Sequence, residues 1–406
     1  MNAKPDVTIY DALVVGLGPA GAVAAYELSR AGLSVLALDK QQHPRYKVCG
    51  GGLSARIQSI LDLDQNVAPL VEHTVYGVQF SYRGQESFLI ESPTPIAYMV
   101  MRDRFDQALV EKARAAGTEV HEGERAILFD DGPGGVFVST DRGRYHARVL
   151  IGADGANSLV AQQLFPGFRA LRMPTLESEV MLGTEEAARY RDTKSVLIDI
   201  GTAQKGYAWV FPKHRQLSIG VAEFREKVGS PKQTFERFTK QEKRLANRSI
   251  PRPLGHPLPI FKGRRNGSGA WESGRLVNEN VLLVGDAGHL VDPLFGEGIY
   301  YAVRSGQLAA HAVLGRLHDR CASLLEYDHA LEREIYPEFR IAARMARIVY
   351  SFPRLCYRLM HNYQEVIRLY YGVLQGRTTY QGFFAQAKGL VKSSFRKRIL
   401  EASPLR

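Results

Sequence analysis

Cysteine is scarce in this 406-residue chain, where Cys49, Cys321 and Cys356 stand far apart. Three scattered thiols make neither a disulfide framework nor a zinc cluster, and a reducing compartment is the default they imply. Long apolar runs are missing as well. The longest candidate, Ala12 to Tyr26, holds 15 uncharged residues, short of the ~20 that cross a bilayer as a helix. Asp6 and Asp11 stand just before and at its edge, where a secretory signal would carry basic residues. No stretch matches a nucleic-acid-binding module, so no nucleic-acid partner is expected. The remaining composition, 45% apolar and 23% charged, is that of a globular protein, and the length suggests two or three domains.

Acidic residues run out toward the C-terminus. From Arg340 to Arg406 there are 13 Lys and Arg against only Glu365 and Glu401, whereas the preceding 339 residues balance at 40 basic and 40 acidic. The whole net charge of +11 therefore sits in the tail. Interleaved with it are Phe352, Tyr357, Tyr363, Tyr370, Tyr371, Phe383, Phe384 and Phe395. Basic residues among aromatics suit an anionic surface, with lipid headgroups ranked above nucleic acid. A solvated basic face on a terminal helical cap is the plain alternative. The first reading makes the protein cytoplasmic and peripherally bound to the inner face of a membrane.

The organising stretch is Tyr10 to Asp39. An apolar segment ends in Gly16-Leu-Gly18-Pro-Ala20-Gly21, an alanine-rich segment follows to Gly32, and a second apolar run ends at Asp39. This is a strand–helix–strand unit with glycines where a dinucleotide needs them. Gly16 permits the tight turn, Gly18 lets backbone N–H groups approach a pyrophosphate, and Gly21 lets the helix pack on the strand. The helix N-terminus adds its dipole, and Asp39 stands where a carboxylate accepts ribose hydroxyls. A glycine fingerprint alone is weak evidence; here the strand, helix and spaced acid agree.

After Asp39 and Lys40 comes a loop containing Tyr46-Lys-Val-Cys49-Gly50-Gly51-Gly52-Leu-Ser54. Successive glycines allow close approach to a flat ligand. Cys49 is either a small buried residue or a thiol facing the cofactor, and a helix is expected from Ser54. Strand patterns follow from Val75 to Tyr98, and Arg102 opens a helix that stops at Gly117. A hairpin surrounds Asp131 to Gly135, and a strand then leads into Gly152-Ala-Asp154-Gly155, a turn where ligands gather in such sheets. Alternation in Gly206-Tyr207-Ala-Trp209-Val-Phe211-Pro212 places three aromatic rings on one face, as a core face or a pocket wall. A second glycine constellation, Gly285-Asp286 with Pro293, Gly296, Gly298 and Ile299, ends a buried strand and opens a helix. Its Asp can hold a polyol, and the helix end favours negative charge on a ring.

These marks resemble the flavoprotein group that includes p-hydroxybenzoate hydroxylase, flavin halogenases and geranylgeranyl reductases, over residues 8 to 330. The resemblance implies FAD held by Gly16, Gly18, Ala20, Gly21, Asp39, Lys40, Arg102, Asp154, Gly155, Gly285, Asp286, Pro293, Gly296, Gly298 and Ile299, with Cys49, Gly50 and Gly51 beside the flavin. Within the group the chain is most similar to geranylgeranyl reductases. Their Cys-Gly-Gly loop matches Cys49-Gly50-Gly51, and their Tyr-x-Trp-x-Phe-Pro motif matches Tyr207 to Pro212. Gln204 stands where that motif often carries proline. The implied activity is saturation of isoprenoid C=C bonds, with Cys49 and Tyr207 as proton donors and Gly52, Tyr207, Trp209, Phe211 and Pro212 in the substrate pocket. No metal site is implied. With one fingerprint only, the reductant is NAD(P)H bound transiently or a ferredoxin-like protein.

The implied architecture is α/β: a Rossmann-type FAD-binding domain (1–74, 99–168, 276–330), an inserted antiparallel β-sheet substrate domain (75–98, 169–275), and a basic helical region (331–406). Two other functions fit the scaffold. An aromatic monooxygenase shares the fold, though the Cys-Gly-Gly loop argues against it, and prenyl-binding escort proteins share it without redox chemistry. The lysine-bearing Trp-x-Trp-x-x-Ile neighbourhood of halogenases is not found.

Overall fold

Alternation and apolar runs resolve into two large sheets. The computed structural model describes residues 8–61, 68–167, 171–224, 230–261, 264–265, 271–272, 274–318 and 323–390. The glycine fingerprint lies on the first sheet, whose central strand Ile9–Val15 pairs in parallel with Val35–Asp39 and with Arg144–Gly152. Glu119–Glu122 and Val281–Leu283 extend the parallel sheet at either side. Leu13, Val14, Leu36, Val149, Ile151 and Leu282 are wholly buried, as expected of parallel strands covered on both faces. Helices Pro19–Arg30, Arg102–Ala115 and Ile299–Leu317 belong to this layer. Gly306 lets two of them touch, since a Cβ there would lie 2.4 Å from the Ala20 carbonyl oxygen.

The second sheet has seven strands, in the order Leu254–Ile260, Leu171–Met181, Gln216–Glu223, Gly206–Pro212, Ser195–Ile200, Gly77–Tyr82 and Glu86–Glu91. All its neighbours are antiparallel except the parallel pair Ser195–Ile200 with Gly77–Tyr82. Its period of two divides the side chains cleanly. Ala208, Val210, Leu217 and Ile219 pack under Phe235 and Phe238 of helix Pro231–Gln241. Tyr207, Trp209, Val196 and Ile198 belong to the opposite core, shared with the C-terminal helices.

Two expectations change. The segment after Gly52 is a strand, Gly52–Ser54, followed by a single 3-10 stretch, Ala55–Ser59, in place of a helix. Tertiary contacts override propensity here. The Ala55 N–H donates to the Ile96 carbonyl (3.0 Å), and the Arg56 guanidinium is fixed between the Glu297 carboxylate and the Tyr300 ring. The second change concerns the tail. Helices Tyr336–Ser351, Pro353–Asn362 and Gln364–Leu374 lead into a helical stretch over 380–390. They bury Tyr357, Tyr370, Tyr371 and Phe383, so four of the eight aromatics assigned to a lipid surface are core instead; Phe352 and Phe384 remain exposed. Cys321, Lys392, Phe395, Arg396, Lys397 and Arg398 lie outside the described residues. Among the described residues no helix is long and apolar enough to cross a membrane.

Candidate active site

The two sheets and the C-terminal helices enclose one continuous cavity of about 930 Å³, large even for small-molecule sites, which span ~300–1,000 Å³. One end is polar and glycine-rich. Gly16 there has φ +99°, and a Cβ on it would lie 2.4 Å from the Ala153 carbonyl oxygen. Gly18 is different: a Cβ would meet only the Arg45 guanidinium, at 3.9 Å. The space in front of this helix N-terminus is open, as a pyrophosphate needs. Arg45 pairs with Asp106 (3.1 Å), while its buried Nη1 has no hydrogen-bond partner. Asp39 accepts the N–H groups of Leu17 and Gln41, both at 2.8 Å, and a carboxylate can take about two further bonds. An open cradle, an orphaned guanidinium nitrogen and an acid with spare lone pairs fit a dinucleotide such as FAD.

The loop after Arg45 carries the cavity from polar to apolar. Tyr46 donates to Glu177 (2.8 Å), whose carboxyl is raised by burial and by neighbouring Glu179. Lys47 Nζ lies 2.8 Å from His256 Nε2, which is 4.0 Å from Asp286. Burial and the Arg102 charge lower the Lys47 pKa. Burial pushes the Asp286 carboxyl up, but His256, Lys47 and Arg102 outweigh it and hold the group below its usual value. Arg102 itself forks onto Asp106 (2.8 and 2.9 Å). Burial opposes its charge, yet Asp106 and Cys49 keep it fully protonated.

At Cys49 the two sequence motifs meet. The Gly51 N–H donates to Cys49 Sγ (3.4 Å), and Gly51 has φ +73° with its Cβ position only 2.2 Å from the Val100 carbonyl oxygen. A Cβ on Gly50 would strike the Phe211 ring at 2.9 Å. From Phe211 an aromatic ladder runs inward through Trp209 and Tyr207, with successive ring centroids 5.9 Å apart. Beyond it the cavity is apolar, lined by Phe80 and Ile198 of the sheet and by Met345, Met360 and Ile367 of the C-terminal helices.

A buried polar chain crosses this apolar end. Asp292 accepts from Tyr380 (2.8 Å), and the Tyr380 and Tyr370 hydroxyls lie 3.0 Å apart. The other Asp292 oxygen accepts the Leu294 N–H (2.7 Å). Burial, with the charge of Glu297 adding, pushes the Asp292 carboxyl up to about 6 against the lowering effect of Tyr380 and Leu294. Tyr207 donates to the Phe295 carbonyl (2.5 Å), and burial raises its pKa.

Most residues singled out from sequence line this one cavity: Gly16, Gly18, Ala20, Asp39, Lys40, Cys49, Gly50, Gly51, Gly52, Arg102, Asp154, Gly155, Tyr207, Trp209, Phe211, Asp286, Gly296, Gly298 and Ile299. Gly21, Pro212, Gly285 and Pro293 are not on its lining. Gly21 packs against the Gly16 carbonyl, where a Cβ would sit 1.9 Å from the oxygen. The Asp154 carboxylate is spent locally, accepting from Ser158 and from the Leu159 and Val160 N–H groups. Sequence reading missed Arg45, Lys47, His256, Asp292, Tyr370 and Tyr380. Arg45 and Lys47 stood inside the loop already singled out, but their partners are distant in sequence. Tyr380 and Asp292 are 88 residues apart, and no local pattern joins them.

The FAD binding domain family model matches residues 9–328. Geranylgeranyl diphosphate reductase of Rhodobacter capsulatus is 32% identical over 318 residues, covering 76% of each chain. The chain belongs to the FAD-binding geranylgeranyl reductase family. A further relative is digeranylgeranylglycerophospholipid reductase 2 of Methanopyrus kandleri, 27% identical over 84% of this chain and 86% of that one. Among solved structures, a geranylgeranyl bacteriochlorophyll reductase-like protein from Thermoplasma acidophilum superposes with a TM-score of 0.73 at 22% identity, covering 84% and 88% of the two chains. A flavin-dependent brominase superposes equally well, with a TM-score of 0.74 at 21% identity over 96% and 100%. The fold of this geranylgeranyl reductase family member is thus an α/β FAD-binding fold with a β-sheet insertion and C-terminal helices, shared with enzymes of other chemistry. The protein is an FAD-dependent oxidoreductase.

Proposed function

We propose that this enzyme saturates C=C bonds of an isoprenoid chain carried by a diphosphate, a glycerolipid or a quinone. The supporting observation is the continuity of the cavity, in which a dinucleotide cradle opens past Cys49 into an aromatic and aliphatic chamber with few polar groups. A prenyl chain offers only apolar surface and bends, and such a chamber holds it dry. Arg45, Asp39, Arg102 and Asp286 would hold FAD, with the N-terminus of helix Ile299–Leu317 beside it. Reduced FAD, when bound, supplies the hydride that adds to one alkene carbon.

The other alkene carbon takes a proton from the chamber wall. Cys49 and Tyr207 are the two donors at the mouth of the chamber. Tyr370, whose hydroxyl lies 3.0 Å from that of Tyr380, is a third candidate donor. The reductant is NAD(P)H bound in passing or a ferredoxin-like protein. The enzyme works at the cytoplasmic face of a membrane, where its substrate resides.

Anaerobic mixing of photoreduced protein with geranylgeranyl diphosphate tests this reading. Flavin absorbance should recover without oxygen. Cys49→Ala, Tyr207→Phe and Tyr370→Phe should retain flavin, and the variant lacking the true donor should lose ~10²–10⁴-fold in the rate. Equal rates in all three variants would remove every donor named here.

A further inference from the structure

Helix Pro353–Asn362 is apolar on two sides. Its inner side carries Tyr357, packed on Tyr82 and Phe88 with centroids 5.6 and 5.2 Å apart, and Cys356 and Met360, which line the cavity. Its outer side carries Leu355 and Leu359, 55% and 46% exposed, and Ile348 and Phe352 just before it are 56% and 60% exposed. Ile348 lies in the last turn of the preceding helix and Phe352 is the joint between the two, so the exposed apolar stretch spans that joint. Leu359 belongs to both sets, being a cavity-lining residue and an exposed one. One short helix is therefore all that separates the apolar chamber from the outside at this point.

In sequence this stretch is surrounded and interrupted by exposed Arg344, Arg347, Arg354 and Arg358. Among the described residues none of these four has an acidic partner. From Arg344 to Lys388 the chain carries seven Lys and Arg and a single acid, Glu365, which pairs with Arg368 (2.9 Å). Exposed large apolar side chains bordered by unpaired arginines mark an interaction surface. The remaining C-terminal residues, with Lys392, Arg396, Lys397 and Arg398, carry the same sign of charge and so make a poor cover for it.

We infer that helix Pro353–Asn362 is the site at which the enzyme enters the headgroup layer of an anionic bilayer, and that a prenyl chain passes beside it from the membrane into the chamber. The inference rests on the reading of the chamber as a prenyl site. Phe352, Leu355 and Leu359 reach the acyl boundary while the arginines stay at phosphate depth. A lipid tail moving past Leu359 would then never cross water.

The test uses the full-length holoenzyme and vesicles of phosphatidylcholine with or without phosphatidylglycerol. The wild type should sediment with the phosphatidylglycerol vesicles and be partly released by salt. Phe352→Glu/Leu355→Glu, two changes at exposed positions, should bind them roughly tenfold or more weakly with unchanged flavin content and melting temperature. The same variant should reduce vesicle-embedded geranylgeranyl lipid slowly, yet reduce detergent-dispersed geranylgeranyl diphosphate at the wild-type rate. A wild type that ignores anionic vesicles, a variant that binds as tightly as wild type, or a wild-type dimer that the variant dissolves would each overturn the inference. Failure to reduce either substrate with vesicle binding intact would remove the prenyl reading and leave the surface standing.

Discussion

Gly18 shows how a residue can be read twice. The sequence gives it a place in a fingerprint, and the structure shows open space where its side chain would be. Its φ of −70° suits any residue, so Gly18→Val should fold normally while filling the phosphate cradle. Loss of ~1–3 kcal/mol of binding there weakens FAD affinity by about 5- to 150-fold and lowers the flavin content of the purified protein. Asp286→Ala should also purify with less flavin, because it strips the counterion from Lys47, Arg102 and His256. Absorbance at the flavin bands against protein reads both. Asp292 makes a prediction about pH. Its folded pKa, about 6 against an ordinary 3.8, lies above the unfolded value. The stabilisation it brings is therefore full below about pH 3.8 and lost as pH rises through about 6, a change of about 3 kcal/mol at most. Between those pH values the wild type should fall in melting temperature as pH rises, and Asp292→Asn should flatten that fall. An unchanged slope would place the titrating group elsewhere.

Whole elements were legible where a local pattern sets them. The strand and helix around Gly16, the strand Ser195–Ile200 and the aromatic strand through Tyr207 need only period and turn residues. The stretch after Ser54 was misread because Ile96, Glu297 and Tyr300 decide its shape, and none is near it in sequence. Four of the tail's aromatics were misread for a related reason. Tyr370 and Tyr371 look like interfacial aromatics in isolation, but the Tyr371 hydroxyl donates to the Ile90 carbonyl (2.8 Å) and is buried by the second sheet. The same sheet holds an ion pair that no motif announced. Lys213, directly after the aromatic motif, is buried and donates at 2.5 Å to Glu179 of strand Leu171–Met181, reaching across the strand between them. Lys213→Met leaves Glu179 unpaired and should destabilise the protein by about 3–5 kcal/mol. Lys213→Met with Glu179→Leu should recover most of that in chemical denaturation; no recovery would mean that the lysine stem, not the charge pair, matters.

At the scale of the molecule, function follows from the way the layers close. The parallel sheet brings the N-termini of two helices to one end of the cavity, and the second sheet turns its aromatic face toward the other. The C-terminal helices, basic outside and aromatic inside, complete the chamber. The sequence showed the cofactor end and the aromatic strand, while the roof and its polar chain needed the folded chain. The central claim is that hydride and proton are delivered to a prenyl chain held in this chamber. The most direct measurement is a single turnover: dithionite-reduced holoenzyme, freed of excess reductant, is mixed without oxygen with geranylgeranyl diphosphate, a geranylgeranyl glycerolipid or menaquinone. The products are then weighed by mass spectrometry. The account predicts a gain of H₂ per reduced double bond in at least one of the three, in amounts matching the flavin reoxidised. Flavin that stays reduced with all three, or reoxidises without any change in prenyl mass, would contradict it.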